Sequence, residues 1–263
     1  MIFESLEEKC LAYRNLTDYK LLPNSYIIVM LDGRSFSKKV KNKFEKPFSK
    51  TFINMMNETA KYLCENISNA KLAFVQSDEI SILISDKDKG DCFFKNRLCK
   101  IQSICASMAT AKFNQLAYLN ELKRSDKAED IIAKSGLYQF DCKAWNVPTK
   151  NDVYAWFLYR QIDCVRNSKQ QLVQTYISPK KLNNLTTDEQ IALLKSERGI
   201  DWNDYSEGEK YGRFIYRIKT LYNNIELNKE YYRNNWTIAN GKYITDEEGR
   251  EWFENIEAIK SLA

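Results

Sequence analysis

Two acids, Asp78 and Glu79, stand side by side in the stretch KLAFVQSDEISILI, residues 71–84, with an apolar run on either side. A third, Asp32, closes an earlier apolar run, SYIIVMLDG. Ionised carboxylates beside a core are costly unless something positive pairs with them, which means a lysine, an arginine or a metal ion. Hard divalent cations prefer such oxygen ligands, and Mg2+ commonly takes one or two carboxylates together with phosphate oxygens. Two such ions held ~3.5–4 Å apart by shared carboxylates serve in-line phosphoryl or nucleotidyl transfer. Gly33, directly after the first acid, lets the backbone carbonyl approach an ion closely. The same three acids also suit a turn cap and a solvated hairpin, and spacing alone leaves both readings open.

Basic residues gather near these acids. Arg34, Lys38, Lys39, Lys41, Lys43 and Lys46 follow Asp32, and Lys95, Arg97 and Lys100 follow the second apolar run. Lysine or arginine beside a metal centre can hold a triphosphate and neutralise charge in a transition state. Lys41 and Lys43 read as solvated loop charges. Lys46 precedes Pro47, whose ring stiffens the loop, and reads as positioned. Arg97 and Lys100 share one helix face. Further on, Arg160, Asp163 and Asn167 form a polar stripe at helical spacing. It suits an exposed face, an internal ion pair, or contact with a nucleotide or RNA end.

The composition narrows the chemistry. The 263 residues contain no histidine, which excludes histidine bases, histidine triads and histidine metal ligands. An enzyme of this composition works with carboxylates, hard metal ions and basic side chains. The seven cysteines are odd in number and form no C-x-x-C pair, so they read as buried thiols of a reducing, cytoplasmic compartment. The net charge of +5 permits a polyanionic partner without demanding one. No apolar run is long enough to span a bilayer, and the N-terminus lacks the basic start of a signal peptide, so no membrane partner is expected.

The elements that must position the acids follow from periodicity. Residues 2–20 read as a helix and SYIIVMLDG as a buried strand ending at Asp32. A basic loop leads to an amphipathic helix carrying Phe52, Met55, Met56, Ala60, Leu63 and Cys64 at helical spacing. Leu72–Val75 and Ile80–Ile84 form a hairpin with QSDE at its turn. KDKGD breaks the chain, and a long helix follows over about Cys92–Leu122. LYQFDCKAW reads as a strand, Asn151–Ile177 as a second long helix, and the stretch after it as a short helix and loop. GRFIYRIKTLY and NWTIANGKYIT are later strands, the second turning at Asn240-Gly241. Strand, helix, hairpin, helix and strand in that order predict an α+β fold: a mostly antiparallel sheet with helices on one face and helical and hairpin C-terminal additions. In a β-α-β-β unit the first strand neighbours the hairpin, which brings Asp32 to Asp78 and Glu79. With no linker in sight, residues 1–263 read as one domain, a core of about 25–145 and an extension of about 146–263.

The segments MLDGRSFS, FEKPFSKTF, VQSDEISIL, KNRLCKIQSICAS, FDCKAWNVP, YRQIDCVRNS and KYGRF occur in an order that resembles the tRNA-His guanylyltransferase family, and in particular its Thg1-like branch. The pairing of D-G-R-x-F with Q-S-D-E carries most of that likeness. It implies a palm-like, ferredoxin-like catalytic domain that adds nucleotides to the tRNA 5′ end, opposite in direction to ordinary polymerases. It implies that Asp32, Gly33 and Asp78 bind two Mg2+ ions, with Glu79 in support. Asp32, Gly33, Arg34, Ser35, Phe36, Ser37, Ser77 and Asp78 would hold the nucleoside triphosphate. Lys46, Arg97, Lys100 and Asn167 match polar positions of the same region. ATP would adenylylate the RNA 5′-phosphate, and the 3′-hydroxyl of an incoming GTP or other triphosphate would displace AMP. The partners implied are tRNA, through its 5′ end and acceptor stem, ATP and GTP, and further copies of the chain in a homotetramer built as a dimer of dimers. Two departures stand out. Ser37 occupies a place where members often carry histidine. VRNSKQQ, Val165–Gln171, replaces the H-I-N-N-L-Y-N of members restricted to tRNA-His, which points to template-dependent repair of truncated tRNA 5′ ends over addition of a single extra G. A nucleotide cyclase and a non-catalytic RNA-binding module are the competing functions.

Overall fold

The computed structural model describes residues 5–40, 43–85, 92–124, 136–224 and 229–262; Lys41 and the KDKGD break lie outside them. Helix α1 (Leu6–Asn15) starts at Ser5, whose side chain accepts from the Glu8 amide, and buries none of its side chains. Strand β1 (Tyr26–Gly33) leads into a short helix α2 (Phe36–Val40) and then α3 (Lys50–Asn66), capped by Ser49. Strands β2 (Ala70–Gln76) and β3 (Glu79–Ser85) form the expected hairpin. Helix α4 (Leu98–Arg124) and strand β4 (Phe140–Val147) follow. Helix α5 (Lys150–Tyr176) begins with a reciprocal cap between Thr149 and Asp152. Short helices α6 (Pro179–Leu182), α7 (Thr187–Arg198) and α8 (Glu207–Tyr211) precede β5 (Arg213–Asn224) and β6 (Lys229–Asn240), and α9 (Glu247–Asn255) and α10 (Glu257–Lys260) end the description.

Among the described residues, six strands form one antiparallel sheet in the order β4-β1-β3-β2-β5-β6. The first four, with α3 and α4 on one face, make the palm-like arrangement expected. Alternation along β1 explains the two layers. Ile27, Val29 and Leu31 face α3 and α4, while Tyr26 and Ile28 join Phe157 and Cys164 of α5 on the opposite face. These side chains are fully or almost fully buried, each worth ~1.5–3 kcal/mol relative to exposure. The C-terminal part of the chain therefore does more than extend the core. Helix α5 covers the second face, and β5 lengthens the sheet by pairing with Leu72–Val75 of β2.

Four features differ from the sequence pattern. The first helix ends at Asn15, short of the expected residue 20. The long helix begins at Leu98 because Phe94, Lys95 and Asn96 all take left-handed φ values near 50–60°, which an α-helix cannot continue. The basic loop contains α2. The late strand stops at Asn240, where Gly241 leaves the sheet and donates to the Gly212 carbonyl. The partner of β5 begins instead at Lys229, in a polar stretch, and the two pair from Arg213↔Asn240 to Asn224↔Lys229. Both faces of this ribbon meet solvent in part, with Leu221 and its partner Tyr232 exposed on one and Ile218 on the other, so it carries no simple apolar signature.

Candidate active site

Pairing between β1 and its neighbours builds the site. Asp32 stands opposite Glu79 of β3 and opposite Asp141 of β4. Side chains at paired positions share a face, so three acids form one row beneath α5. Glu79 is buried and is gripped by Arg160 through two hydrogen bonds, Nε to Oε1 at 2.7 Å and Nη2 to Oε2 at 2.6 Å. Arg160 Nη2 also donates to Asp163 Oδ2 at 2.9 Å, and its guanidinium lies over the Trp156 and Tyr159 rings. Burial raises the Glu79 carboxyl above its usual range, an effect the Arg160 hydrogen bonds partly offset.

Asp78 sits in the turn between β2 and β3, after Ser77 in a left-handed conformation. Its carbonyl accepts from the Gly33 amide at 3.1 Å, which fixes the end of β1 against the turn. Gly33 has no room for a side chain, because a Cβ there would fall 2.6 Å from the Phe36 ring and 2.9 Å from Asp78 Cβ. Burial and the charge of Asp32 push the Asp78 carboxyl up to about 6, although Ser77 Oγ donates to it at 3.1 Å. Burial and Asp141 likewise raise Asp32. In the folded protein Asp78 therefore keeps its proton over a pH range where the unfolded chain has lost it. Its contribution to stability is present below about pH 4 and is lost as pH rises through 6. In metal-free protein, Asp78→Asn is accordingly expected to raise Tm by a few degrees at pH 7.5 and to leave it nearly unchanged at pH 4, which calorimetry at the two pH values checks. An unchanged Tm at pH 7.5 would contradict the repulsion between the two acids.

These acids open on a cleft of about 370 Å3. It takes Asp32, Gly33, Ser35, Phe36 and Ser37 from β1 and α2, Ser77 and Asp78 from the turn, and Lys46 from the loop before α3. Phe36 forms its floor, buried against Phe52, Phe113, Tyr138 and Phe140. Arg34 lies outside, with its amide on the Gln139 carbonyl and its guanidinium on the Gln139 side chain. Asn167 donates to Asp163 and borders a neighbouring pocket shared with Lys46. Arg97 and Lys100 are not brought to the cleft within this chain. Strand β3 runs away from Asp78, so α4 begins at the far end of the sheet, about 20 Å off for a seven-residue strand. There Arg97 pairs with Asp18 at 2.8 Å.

Three residues of the site depend on partners distant in the sequence. Asp141 lies in a strand legible from sequence, yet its place beside Asp32 depends on register. Arg160 belongs to a recognised polar stripe, and its pairing with Glu79 was one of several options. Gln171 donates to the Pro47 carbonyl, tying α5 to the loop that carries Lys46. Among the described residues no three acid or thiol side chains converge into a ready metal cage, and Arg160 already pairs with Glu79. What remains is a pair of mutually repelling carboxylates beside backbone oxygens, a donor set that suits a hard cation completed by phosphate oxygens.

A family model described as tRNAHis guanylyltransferase matches residues 8–148. The chain is 30% identical over 209 residues to a tRNA(His) guanylyltransferase of Debaryomyces hansenii, covering 75% of each. It superposes on a bacterial tRNA(His) guanylyltransferase (Thg1)-like protein solved in complex with ATP, with a TM-score of 0.79 and 32% identity, over 96% of this chain and 98% of the other. A bacterial protein of the same description in complex with GTP gives 0.73 and 29%, over 98% and 100%.

Proposed function

The chain belongs to the tRNA-His guanylyltransferase family, a family of nucleotidyltransferases, and from that premise we propose that it restores missing nucleotides at tRNA 5′ ends by template-dependent 3′–5′ addition. The observation that carries this reading is the closure of β1 on the Ser77–Asp78 turn by the Gly33–Asp78 hydrogen bond, which sets two carboxylates at the mouth of a cleft large enough for a nucleotide.

The residues present fit Mg2+. Asp32, Asp78 and the Gly33 carbonyl would hold two ions, and both carboxyls are raised by burial and by a neighbouring acid, a cost that a bound cation would relieve. When bound, the ions neutralise charge on the phosphates and lower the barrier to in-line attack. The chain's own groups do the positioning. Ser35, Ser37 and Ser77 offer hydroxyls to the nucleotide, and Lys46 offers its ammonium to the triphosphate. Arg160 holds Glu79 so that the turn carrying Asp78 keeps its place. In the first step an oxygen of the RNA 5′-phosphate attacks the α-phosphorus of ATP, and pyrophosphate leaves. In the second the 3′-hydroxyl of the incoming nucleotide attacks the activated 5′-phosphorus, and AMP leaves. The new 5′ end carries a triphosphate, from which pyrophosphate is trimmed. A homotetramer, a dimer of dimers, is part of the same proposal.

The segment Val165–Gln171 favours repair over tRNA-His-restricted addition. Of H-I-N-N-L-Y-N it keeps only Asn167, and in the fold Arg166 pairs with Asp163 and Lys169 with Asp188. Arg166 stays 61% exposed and Asp188 87% exposed, so these surface pairs are weak, and any phosphate contact the two bases make carries no sequence information. Sequence identity in the product would then come from base pairing with the opposite strand of the acceptor stem. Mixing the protein with ATP, labelled GTP, Mg2+ and a panel of intact and 5′-truncated tRNAs tests this. The expected result is a higher kcat/KM for several truncated tRNAs than for G addition to intact tRNA-His. A strong preference for intact tRNA-His that vanishes when its anticodon is swapped would reverse the assignment. A cyclic nucleotide formed without RNA would identify a cyclase.

A further inference from the structure

Arg213 opens β5 and is buried, 5% exposed. Its Nε donates to Asn57 Oδ1 and its Nη1 to the Gly208 carbonyl, each at 3.1 Å, while Nη2 has no partner. Burial pulls its pKa down to about 10. Gln76, at the end of β2, is 2% exposed. Its amide bonds Glu79, and because an ionised carboxylate only accepts, the amide nitrogen must face Glu79. Its Oε1 is left inside, also without a partner.

Arg213 and Gln76 line the same side chamber, about 60 Å3, which shares Ser49, Phe52, Ser77 and Gln171 with the nucleotide cleft. An orphan donor and an orphan acceptor on one chamber call for a group that accepts and donates together. An ionised phosphate accepts only, and it would meet both Gln76 Oε1 and Glu209, which also lines the chamber. A nucleobase is far too large. A hydroxyl fits, since a water-sized group occupies about 30 Å3. We propose that this chamber takes a ribose hydroxyl of the nucleotide bound in the cleft, accepting from Arg213 Nη2 and donating to Gln76 Oε1. The proposal rests on the nucleotide reading of that cleft. Because the 3′-hydroxyl is the attacking group there, the chamber receives the 2′-hydroxyl. Arg213 and Gln76 are then specificity-determining residues that select ribonucleotides over deoxyribonucleotides.

Binding constants for GTP, 2′-deoxy-GTP, 2′-O-methyl-GTP and 3′-deoxy-GTP, measured without tRNA, test it. The expected result is that 2′-deoxy-GTP binds about tenfold more weakly than GTP, the size of one hydrogen bond to a charged group. The 2′-O-methyl analogue should bind more weakly still, and 3′-deoxy-GTP should match GTP. In Gln76→Met and Arg213→Met, GTP affinity should fall towards that of 2′-deoxy-GTP, whose own affinity stays unchanged. A structural disturbance would weaken both nucleotides equally, and that outcome overturns the proposal. So does a wild-type protein that binds GTP and 2′-deoxy-GTP alike, as it does if water alone fills the chamber, and so does a penalty confined to 3′-deoxy-GTP; each leaves the nucleotide cleft standing. Failure to bind any of the four overturns the cleft assignment as well. The wild-type measurements decide the matter even if neither variant folds.

Discussion

Replacing Asp78 with alanine is expected to lower 5′-nucleotide addition on the order of 10³-fold at saturating Mg2+, with the fold retained. The size is that of removing charge stabilisation from the reacting phosphates, the role proposed for Asp78. Retention of the fold follows from the backbone. The Gly33 amide bonds the carbonyl of Asp78, not its side chain, so the contact that closes the site survives the substitution. The substitution also removes a repulsion with Asp32 and a buried carboxyl whose pKa is raised to about 6. The variant should therefore be at least as stable as wild type at neutral pH while nearly inactive. That combination separates a catalytic acid from a structural one. Single-turnover rates and a thermal melt on the same preparation read both halves. A folded variant with near-normal rates would remove Asp78 from the catalytic apparatus.

Arg160→Met is expected to destabilise the protein by about 3–5 kcal/mol, because it leaves Glu79 buried without its charge partner. Arg160 and Glu79 expose only 9% and 10% of their side chains, so solvent screening relieves little of this. Pairing the change with Glu79→Leu should recover most of the loss, since removing both members of a buried pair is far cheaper than removing one. The loss should also shrink as pH falls and Glu79 takes up a proton, the direction in which burial already pushes it. Urea unfolding of the two single variants and the double variant measures the coupling. Additive losses would show that the guanidinium acts through its Trp156 and Tyr159 contacts instead of through Glu79.

Much of the site was legible because its parts are local. The run from Tyr26 to Leu31 is apolar on both faces, the Ser77–Asp78 turn separates two apolar strands, and the helix carrying Met55, Met56 and Leu63 repeats at helical spacing. Each signal lies within a few residues, and the β-α-β-β order then places Asp32 beside Asp78. What escaped depends on distant partners. Asp141 meets Asp32 only through the β1–β4 register, and Arg160 reaches Glu79 from a helix 81 residues away. Arg97 and Lys100 show the converse case. They follow the hairpin closely in sequence, but β3 carries the chain away from the cleft before α4 begins. The second helical layer was missed for the same reason. The apolar stripe of α5 is visible in sequence, but the face of the sheet it covers is not.

The strand order also governs how the chain assembles itself. Only the β2–β3 hairpin joins neighbours in sequence within the palm-like part of the sheet, and β1 must then find β3. The β1–β4 ladder joins Ile28 to Trp145, and the β2–β5 ladder joins Leu72 to Tyr216. Such distant closures carry a loop-entropy cost before their contacts reward it, which slows folding. During synthesis the edge of β2 stays uncovered until Arg213 and the residues after it have emerged. Until then the apolar segment Leu72–Val75 presents unpaired backbone to any neighbouring chain, the hazard that exposed strand edges bring. The late position of β5 in the sequence thus makes the nascent chain depend on its last fifth to become safe from aggregation.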